Sequence, residues 1–283
     1  MVLIRVLALA LLLPAVAHAQ RDADVIVEEL RKLAWQRGPA EGKIGATAKI
    51  QIPGGYAFLE ERDTRRFLEL MGNPPRDRHF MIAPQDLAWF AVFSFDAVGY
   101  VKDDEKIDPD SLLDSLKQGD ERANEERKRL GMQPIYTDGW HVAPHYDGET
   151  KRLEWGMRLR DDKGGMHVNY TSRLLGRSGV MSAVLVSSPS SLDRDVIDFK
   201  SALRGYDFVP SEKYAEFKPG DRVAEYGLGA LVLGGAAAAA AKAGLFKTLG
   251  KFIWLIAAGG LAVLWPLLKR LFARKESPPP GPG

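Results

Sequence analysis

The chain has 283 residues, of which 39 are Lys or Arg, 37 are Asp or Glu and none is Cys. Residues 21–222 contain 31 basic and 35 acidic residues, so the middle of the chain has a formal charge of −4. The absence of cysteine excludes disulfides, thiolate nucleophiles and cysteine-ligated metal centres. Because no clustered positive charge is present to neutralise phosphates, we expect no nucleic acid partner.

The N-terminus has the layout of an export signal. Arg5 precedes an apolar run over residues 6–13, and the small-residue sequence Ala-His-Ala follows at residues 17–19. A basic start, a short apolar run and an A-x-A site are typical of a signal peptide, and the run is too short to span a bilayer. Residues 1–19 are therefore predicted to direct the chain to the periplasm of a bacterium.

Residues 20–222 are predicted to form one α+β domain, a twisted and mainly antiparallel sheet covered by helices. Apolar residues at helical spacing and capping residues indicate the helices, and alternating or continuous apolar runs between turn residues indicate the strands. Neighbouring strands with helices before and after them are typical of this fold class. In chain order, the expected elements are a helix at 24–35, a strand at 46–52, a helix at 63–71, a central strand at 87–95, a helix at 108–130, strands at 153–159, 168–175 and 180–186, and a helix at 192–203.

The C-terminal part, residues 223–271, is predicted to be a membrane anchor. Its main span is the apolar stretch at 252–268, which has Trp254 near one end and basic residues directly after the other. Aromatic rings and basic residues are typical of the two ends of a membrane span. A possible first helix lies at 228–246, and a Pro-rich tail follows the anchor at 272–283.

The number of spans is left open by the sequence. Ala230, Gly234 and Ala238 recur at every fourth position and would let a second helix pack closely, which favours a helical hairpin. The weak hydrophobicity of this Gly- and Ala-rich stretch favours a single span, and the basic residues are nearly balanced between the loop and the tail.

Several stretches together carry a resemblance to a known family. They are GYAFLE, GNPP, GYVKDDEKIDPDSLLDSLK, GWHVAPHYD, LEWGMRL, VNYTSRLLGRSGVMSAVLV and DRVAEYGLGALVLGG. From about Gly45 to the last span, the chain resembles the bacterial membrane-anchored proteins catalogued as domain of unknown function 2167. The resemblance implies membrane anchoring but no reaction, because the family has no assigned catalytic residues. The order of elements is also similar to that of PsbP-like periplasmic and lumenal sandwiches, an analogy of fold alone.

No metal site or cofactor is expected. His141 and His145 are four residues apart, with Asp147 beyond them, and this spacing places two ligands together only on a helix. Pro144 disfavours a helix here. None of the recognised ligand spacings is met elsewhere in the chain.

An acidic cluster offers the alternative of an enzyme. It consists of Asp103, Asp104, Glu105, Asp108 and Asp110. A periplasmic hydrolase using carboxylates of residues 103–110 would require these acids to converge in a cleft. The competing interpretation is structural, because Asp-Pro-Asp is a helix N-terminal signal that already accounts for Asp108 and Asp110.

Charged and aromatic residues at the edges of predicted strands form a candidate binding groove. They are Tyr100, Lys102, Tyr170, Arg173 and Arg177, and they could contact an anionic or peptide partner. Pairing of the arginines with acidic residues is the structural alternative, and the sequence does not separate the two.

The leading functional hypothesis is a non-enzymatic binding or scaffolding domain in the periplasm, held at the bacterial inner membrane. Its expected partners are the lipid bilayer, through the C-terminal helices, and another protein of the cell envelope. The hypothesis rests on the predicted anchor and on the absence of a catalytic motif; the periplasmic hydrolase is its alternative.

Overall fold

A computed structural model describes residues 25–73, 75–129 and 133–234. The helices in these ranges are α1 (25–32), α2 (Glu61–Leu70), α3 (Pro109–Arg129), α4 (Leu192–Ala202) and α5 (Leu228–Val232). The strands are β1 (Gln36–Arg37), β2 (Ala40–Ile44), β3 (Ala48–Ile52), β4 (Tyr56–Leu59), β5 (His79–Pro84), β6 (Phe90–Asp96), β7 (Ile135–Asp147), β8 (Arg152–Asp161), β9 (Met166–Leu175), β10 (Val180–Ser187) and β11 (Tyr206–Phe208). Short 3-10 helices flank β11 at Leu203–Gly205, Pro210–Glu212 and Tyr214–Glu216.

The strands form two antiparallel sheets. The large sheet has eight strands in the order β1-β4-β5-β6-β10-β9-β8-β7, and the small sheet has three in the order β11-β3-β2. Most neighbours in the large sheet are also neighbours in sequence, as expected for hairpin connections. The expected α+β class with a mainly antiparallel sheet is confirmed.

One face of the large sheet packs against α4 and the small sheet, and we call it the α4 face. In β9, Val168, Tyr170 and Leu174 are separated by even numbers of residues, so they lie on the same face, and all three are buried in its core. Ile50 of β3 and Phe199 of α4, each 0% exposed, close this core from the other side. The α4 face therefore carries one continuous apolar core.

The opposite face, which we call the α3 face, carries two separate apolar cores. In the first, Phe67 of α2 and Leu30 of α1 cover β4, β5 and β6. In the second, Leu112 of α3 and Leu231 of α5 cover β8, whose Leu153 is 0% exposed. The space between the two cores is occupied by polar side chains.

The described part of the C-terminal segment packs on the domain. Leu228 and Leu231 of α5 are 0% and 2% exposed and belong to the second core of the α3 face. Gly234 has a φ of 102°, a left-handed conformation that stops a helix shortly after Val232. Of the possible first helix at 228–246, residues 228–232 form a short helix that packs in the domain core, and residues 235–246 lie outside the described ranges, so the assignment stays a prediction.

Within the described ranges, none of the helices has the length and apolar character needed to cross a membrane. The predicted signal peptide at 1–19, the main span at 252–268 and the tail at 272–283 lie outside these ranges. Those three assignments stay predictions.

Candidate functional site

The five residues predicted to line one groove do not share one surface. Tyr170 is 1% exposed on the α4 face, where its hydroxyl donates to Glu154 at 3.1 Å. Arg173 follows three positions later, so it lies on the α3 face, where its Nη1 donates to Asp96 at 2.8 Å. A groove that uses both residues would have to cross the sheet.

Of the other three predicted residues, two contact the segment that precedes α5 and the third is exposed. The Tyr100 ring packs against the rings of Tyr214 and Phe217, each at a centroid distance of 4.3 Å. Arg177 donates two hydrogen bonds to Asp221, at 2.7 and 2.8 Å. Lys102 is exposed.

The arginine pairs follow the structural alternative, although their partners lie outside the acidic cluster. The two hydrogen bonds between Arg177 and Asp221 raise the pKa of the guanidinium and lower the pKa of the carboxyl to about 2. Both groups are therefore charged across the physiological range of pH, and together they tie the β9–β10 turn to the chain before α5.

The acidic cluster also has structural roles, and its members point in different directions. Asp108 accepts from the backbone N–H groups of Asp110 and Ser111 at 3.2 Å, as a helix cap does. Glu105 accepts from the backbone N–H of Gly229 at the start of α5, at 3.1 Å. The convergence that the hydrolase alternative requires is not formed by these residues.

Asp103, a third member of the acidic cluster, is held by two side chains. It accepts hydrogen bonds from Lys151 at 2.8 Å and from the Tyr146 hydroxyl at 2.7 Å. Its partial burial raises the pKa of the carboxyl, but the bonds from Lys151 and Tyr146 outweigh burial, and the pKa lies below its usual value. Asp103 is therefore a charged partner for Lys151 and is unsuited to act as a general acid.

His141 and His145, the two histidines considered as a metal pair, bind separate carboxylates. His141 Nε2 lies 2.6 Å from Asp193, and His145 Nε2 lies 3.6 Å from Glu154, so each contacts a different carboxylate. No three His, Asp or Glu side chains among residues 25–73, 75–129 and 133–234 come together as a set of metal ligands.

A cavity of about 240 Å³ lies where the ends of β8 and β9 meet the edge strand β11. Three basic residues, one acidic residue and several apolar or aromatic residues share its wall. The lining residues are Thr150, Lys151, Arg152, Leu174, Leu175, Tyr206, Asp207, Phe208, Lys213, Tyr214 and Ala215.

Local backbone geometry holds two of these basic residues at the cavity. Lys213 forms an antiparallel bridge with Gly176, at the end of β9. A Cβ at Gly176 would lie 2.9 Å from the Phe208 ring and 3.0 Å from the Glu212 carbonyl oxygen, so the approach of these chains requires glycine. Arg152 begins β8, and its Nη2 donates to the Leu203 carbonyl oxygen at 3.3 Å.

Tyr206 contributes a buried hydroxyl. Its side chain is 8% exposed, and its hydroxyl has no hydrogen-bond partner in the described part of the chain. Burial raises the pKa of Tyr206 well above its usual value, whereas the nearby charge of Arg152 acts in the opposite direction. The hydroxyl therefore keeps its proton and is an unused hydrogen-bond donor.

A second polar feature crosses the α3 face between its two cores. His79, Ser94, Ser182 and Arg173 lie directly opposite one another on β5, β6, β10 and β9, and we call them the polar row. Three of them have a buried atom without a partner among the described residues, namely His79 Nε2, Ser182 Oγ and Arg173 Nε.

Sequence reasoning missed the residues of the cavity. Its lining residues come from the turn at 150–152, from β11 and from residues 213–215, which lie far apart in the chain. Two consecutive basic residues at the start of an alternating strand, Lys151 and Arg152, were the available signal. Nothing in the sequence indicated that Tyr206 would join them.

Comparison with known families gives one match, which covers most of the chain. A family described as "Protein of unknown function (DUF2167)" matches residues 36–265. The chain belongs to this family. The DUF2167 match begins at β1 and continues beyond α5, so it includes both sheets and the cavity. The description assigns no activity to the family.

Other comparisons give little more. No curated protein matches the chain. One solved structure that resembles it is the solution structure of cyanobacterial PsbP (CyanoP) from Synechocystis sp. PCC 6803, with 8% sequence identity and a TM-score of 0.35. The match covers 60% of this chain and 92% of that one. At this level the likeness carries no argument about function.

Proposed function

We propose that this member of DUF2167 is a binding or scaffolding module of the bacterial cell envelope. In this proposal the C-terminal part anchors the chain in the inner membrane, and the domain faces the periplasm. The observation that supports it best is the close packing of residues 222–233 on the domain, since a domain fixed to the segment before its anchor presents a partner with a defined surface.

A backbone pairing begins this packing. Tyr100 forms a parallel bridge with Val223, and its backbone N–H donates to the Arg222 carbonyl oxygen at 2.8 Å. Gly99 has a φ of 95°, and a Cβ there would lie 2.6 Å from the same carbonyl oxygen. The two chain segments can therefore approach this closely only with glycine at this position.

Glu105 and the second core of the α3 face complete the packing. The Glu105 carboxylate accepts from the Gly229 backbone N–H, and Leu228, Leu231 and Val232 are buried against the domain. Burial of apolar side chains and a satisfied helix N-terminus both oppose detachment of this segment. The domain is thus held in a fixed position relative to residue 233, unlike a domain on a flexible tether.

The hydrolase alternative receives less support. It needs carboxylates of residues 103–110 in a common cleft with perturbed pKa values. Instead, Asp103 pairs with Lys151, Glu105 holds the start of α5, and Asp108 caps α3. Each of these acids has a structural partner that accounts for its position.

Capture of partners by the full chain tests the proposal. The chain is purified from detergent-solubilised membranes after crosslinking in cells, together with Gly99→Ala and with Gly54→Ala as the matched control. Gly54 has open space around the position of a Cβ, so its substitution leaves the packing intact. We expect a specific envelope protein with the wild-type chain and with Gly54→Ala, and several-fold less with Gly99→Ala. Absence of any specific partner from the wild-type sample, or absence of the chain from the membrane fraction, would refute the proposal.

A reporter fusion tests the predicted anchor. A phosphatase that is active only in the periplasm is fused after Ser277, and a reporter that fluoresces only in the cytoplasm is fused at the same site. High phosphatase activity supports two spans. An inactive phosphatase with a fluorescent reporter means that the segment at 252–268 alone crosses the membrane.

A further inference from the structure

The α4 face of the large sheet is covered unevenly. In the described chain, the buried core of this face contains residues from β4, β5, β6, β9 and β10 and none from β7 or β8. On the opposite face, Leu153 and Leu159 of β8 belong to the core that α3 and α5 cover. β8 therefore has one face in an apolar core, whereas its α4 face lies outside one.

Three exposed side chains form a row across this part of the α4 face. Tyr136 of β7 and Met166 of β9 lie directly opposite Arg160 of β8. Met166 and Val168, which is buried in the core of the α4 face, differ by an even number of positions, so the whole row lies on that face. Tyr136 and Met166 are 36% and 39% exposed.

The flank of α4 borders the same region. Asp193 lies 2.6 Å from His141 of β7, and Lys200 lies 2.7 Å from Glu154 of β8. Ile197 follows Asp193 by four positions and precedes Lys200 by three, so the three residues share one side of the helix. This side therefore faces β7 and β8, and Ile197 is 73% exposed on it.

Exposed apolar residues are concentrated in this region. Six large apolar side chains of the described chain are exposed, and three of them, Tyr136, Met166 and Ile197, lie here. Single exposed apolar residues are ordinary, but a group of them on one face is typical of an interaction surface. We call this surface the open strip, and its residues are Tyr136, Val142, Arg158, Arg160, Met166 and Ile197.

The open strip carries a cation without an ion-pair partner. Arg158 pairs with Asp138 at 3.3 Å, whereas Arg160 has no acidic group within 4.0 Å in the described chain. The Arg160 guanidinium lies 5.8 Å from the centre of the Tyr136 ring. A guanidinium beside an aromatic ring can still bind a carboxylate through two parallel N–H groups. The open strip thus fits an apolar partner that has an acidic side chain.

The dimensions of the open strip match one helix. Two neighbouring strands are about 10 Å across, close to the diameter of an α-helix. Between Arg160 and Glu154, where Lys200 meets the sheet, β8 is about 20 Å long, a length that a helix covers with about 13 residues. Addition of a strand is disfavoured instead, because β7 at the sheet edge has three register shifts and contains Pro144.

We propose that the open strip docks one amphipathic helix of a partner protein, which lies beside α4 and over β7 and β8. The apolar side of this helix covers Tyr136, Met166 and Ile197, and an acidic residue pairs with Arg160. The helix completes on this face the kind of layer that α3 and α5 form over β8 on the other. The inference rests on the proposed binding function and adds the kind of partner and the surface that binds it.

Selection from peptide libraries tests the docking site. The full chain is held in nanodiscs of a zwitterionic lipid and is offered two displayed libraries of peptides of about 14 residues. In the first library, apolar residues recur at i, i+3, i+4 and i+7, as in an amphipathic helix. In the second, the same residues alternate with polar ones, as in a strand. We expect enrichment from the first library alone, of peptides that also contain Asp or Glu.

Variants of exposed residues show whether the selected peptides bind the open strip. Ile197→Ser and Met166→Ser remove exposed apolar surface, and each is expected to weaken binding by about fivefold to tenfold in calorimetry. Arg160→Gln should weaken binding of a peptide with an acidic residue more than binding of its neutral amide version. Val25→Ser is the matched control, because Val25 is 62% exposed on α1, and it should bind as the wild type does.

Several results would overturn the inference. One is the absence of enrichment from the first library, and another is binding that neither Ile197→Ser nor Met166→Ser weakens. Dimers of the chain that Ile197→Ser abolishes would mean that the open strip pairs two copies. Loss of peptide binding in nanodiscs that contain phosphatidylglycerol would mean that lipid covers it.

The proposed function fails in a different way from this inference. In the capture of partners from cells, a chain with both Ile197→Ser and Met166→Ser that retains the envelope partner as the wild type does loses only the docking site. A wild-type chain that captures no partner contradicts the proposed function, even where helical peptides bind the open strip in vitro.

Discussion

The two faces of the large sheet differ in how the buried polar side chains of their central strands are paired, and on the α4 face those around Glu154 are paired. There the Glu154 carboxylate is buried and accepts from Tyr170 and Ser172 at 3.1 Å each. Lys200 of α4 lies 2.7 Å from the same carboxylate. A buried charge with three partners fixes the position of α4 on the sheet, because any shift of the helix would break the ion pair.

On the α3 face, the polar row leaves several groups unsatisfied. Ser182 is 0% exposed and His79 is 8% exposed, yet Ser182 Oγ and His79 Nε2 have no partner among the described residues. Arg173 is paired with Asp96 through Nη1, but its Nε is likewise unpaired there. The polar row separates the two apolar cores and lowers the stability of the face that carries it.

The two faces of the large sheet therefore have different roles. The α4 face supplies stability through a continuous core and through the paired groups around Glu154. On the α3 face, the unpaired groups of the polar row lower the stability of the domain. The same face packs against α5, the last described helix before the predicted anchor. Stability measurements on a fragment of residues 20–234 and on its variants test this difference between the two faces.

The largest effect is expected from removal of the C-terminal segment that covers the α3 face. A fragment of residues 20–222 lacks Leu228, Leu231 and Val232, which are 0%, 2% and 6% exposed. Loss of three buried side chains costs about 5 kcal/mol of unfolding free energy, enough to unfold a marginally stable domain. Urea unfolding followed by circular dichroism measures it, and equal midpoints for the two fragments would contradict the packing of α5.

The second prediction concerns the satisfied carboxylate of the α4 face. Glu154→Ala leaves the hydroxyls of Tyr170 and Ser172 without their acceptor, so we expect a loss of about 3 kcal/mol in the unfolding free energy. Glu149→Ala, at an exposed turn position, is the matched control and should change it by less than about 0.5 kcal/mol. Similar urea midpoints for the two variants would show that the Glu154 contacts contribute little.

Ser172→Ala is expected to have a smaller effect in the same direction. The Ser172 hydroxyl is fully buried and donates to Glu154, so its removal should cost about 1 kcal/mol in the unfolding free energy. Thermal and urea unfolding of the variant measure the cost. An unchanged or increased stability would mean that this hydrogen bond is offset by the desolvation of its two groups.

The pH dependence of stability tests the polar row. Burial lowers the pKa of His79, an effect that the hydrogen bond with the Asp77 carbonyl reduces and the charge of Arg76 reinforces. The unfolded chain therefore takes up a proton more readily than the folded one. The contribution of neutral His79 to stability is complete above the unfolded pKa of about 6.5 and is lost as the pH falls through the folded pKa.

Urea unfolding between pH 5 and pH 8 is the measurement, with pH values chosen to bracket the ordinary pKa of about 6.5. Below this pH, the unfolding free energy of His79→Gln should depend less on pH than that of the parent fragment. His141→Gln, which changes a residue beside Asp193 near the surface, is the control. A His79→Gln profile with the same slope as that of the parent fragment would rule out His79 as the source.

The smallest expected effect has the opposite sign. Ser182→Ala removes a buried hydroxyl that has no partner among the described residues, so the unfolding free energy should increase by up to about 1 kcal/mol. Ser172→Ala and Ser182→Ala make the same substitution on neighbouring strands, the first on the α4 face and the second on the α3 face. Destabilisation of equal size in both variants would mean that the polar row is satisfied in solution.

Local patterns predicted the meander of β8, β9 and β10 but not the strands β5 and β7. The alternation at 153–159 and the apolar runs at 168–175 and 180–186 match β8, β9 and β10 closely, because strands of a regular meander keep a period of two. In β7 the register shifts at three places and Pro144 interrupts the pattern, so no strand was expected there. β5 was missed because its short run is apolar on both faces and follows a Pro-rich turn.

The candidate site was less accessible from sequence than the fold. The predicted groove joined residues that are close in sequence motifs, but Tyr170 and Arg173 differ by an odd number of positions and so lie on opposite faces. The cavity depends on β11 pairing with β3, a contact between residues 206–208 and 48–50 that no local pattern specifies. The packing of segments that are far apart in the chain, and not residue type alone, determines which side chains lie together in the cavity wall.

The irregular course of β7 has a consequence for self-association. This strand is one edge of the large sheet, and an edge strand with a regular row of free N–H and C=O groups recruits strands from other molecules. Its three register shifts and Pro144, which has no N–H to donate, interrupt that row, and β1 at the opposite edge has only two residues. Both edges of the large sheet are therefore poor templates for the addition of a strand from another molecule.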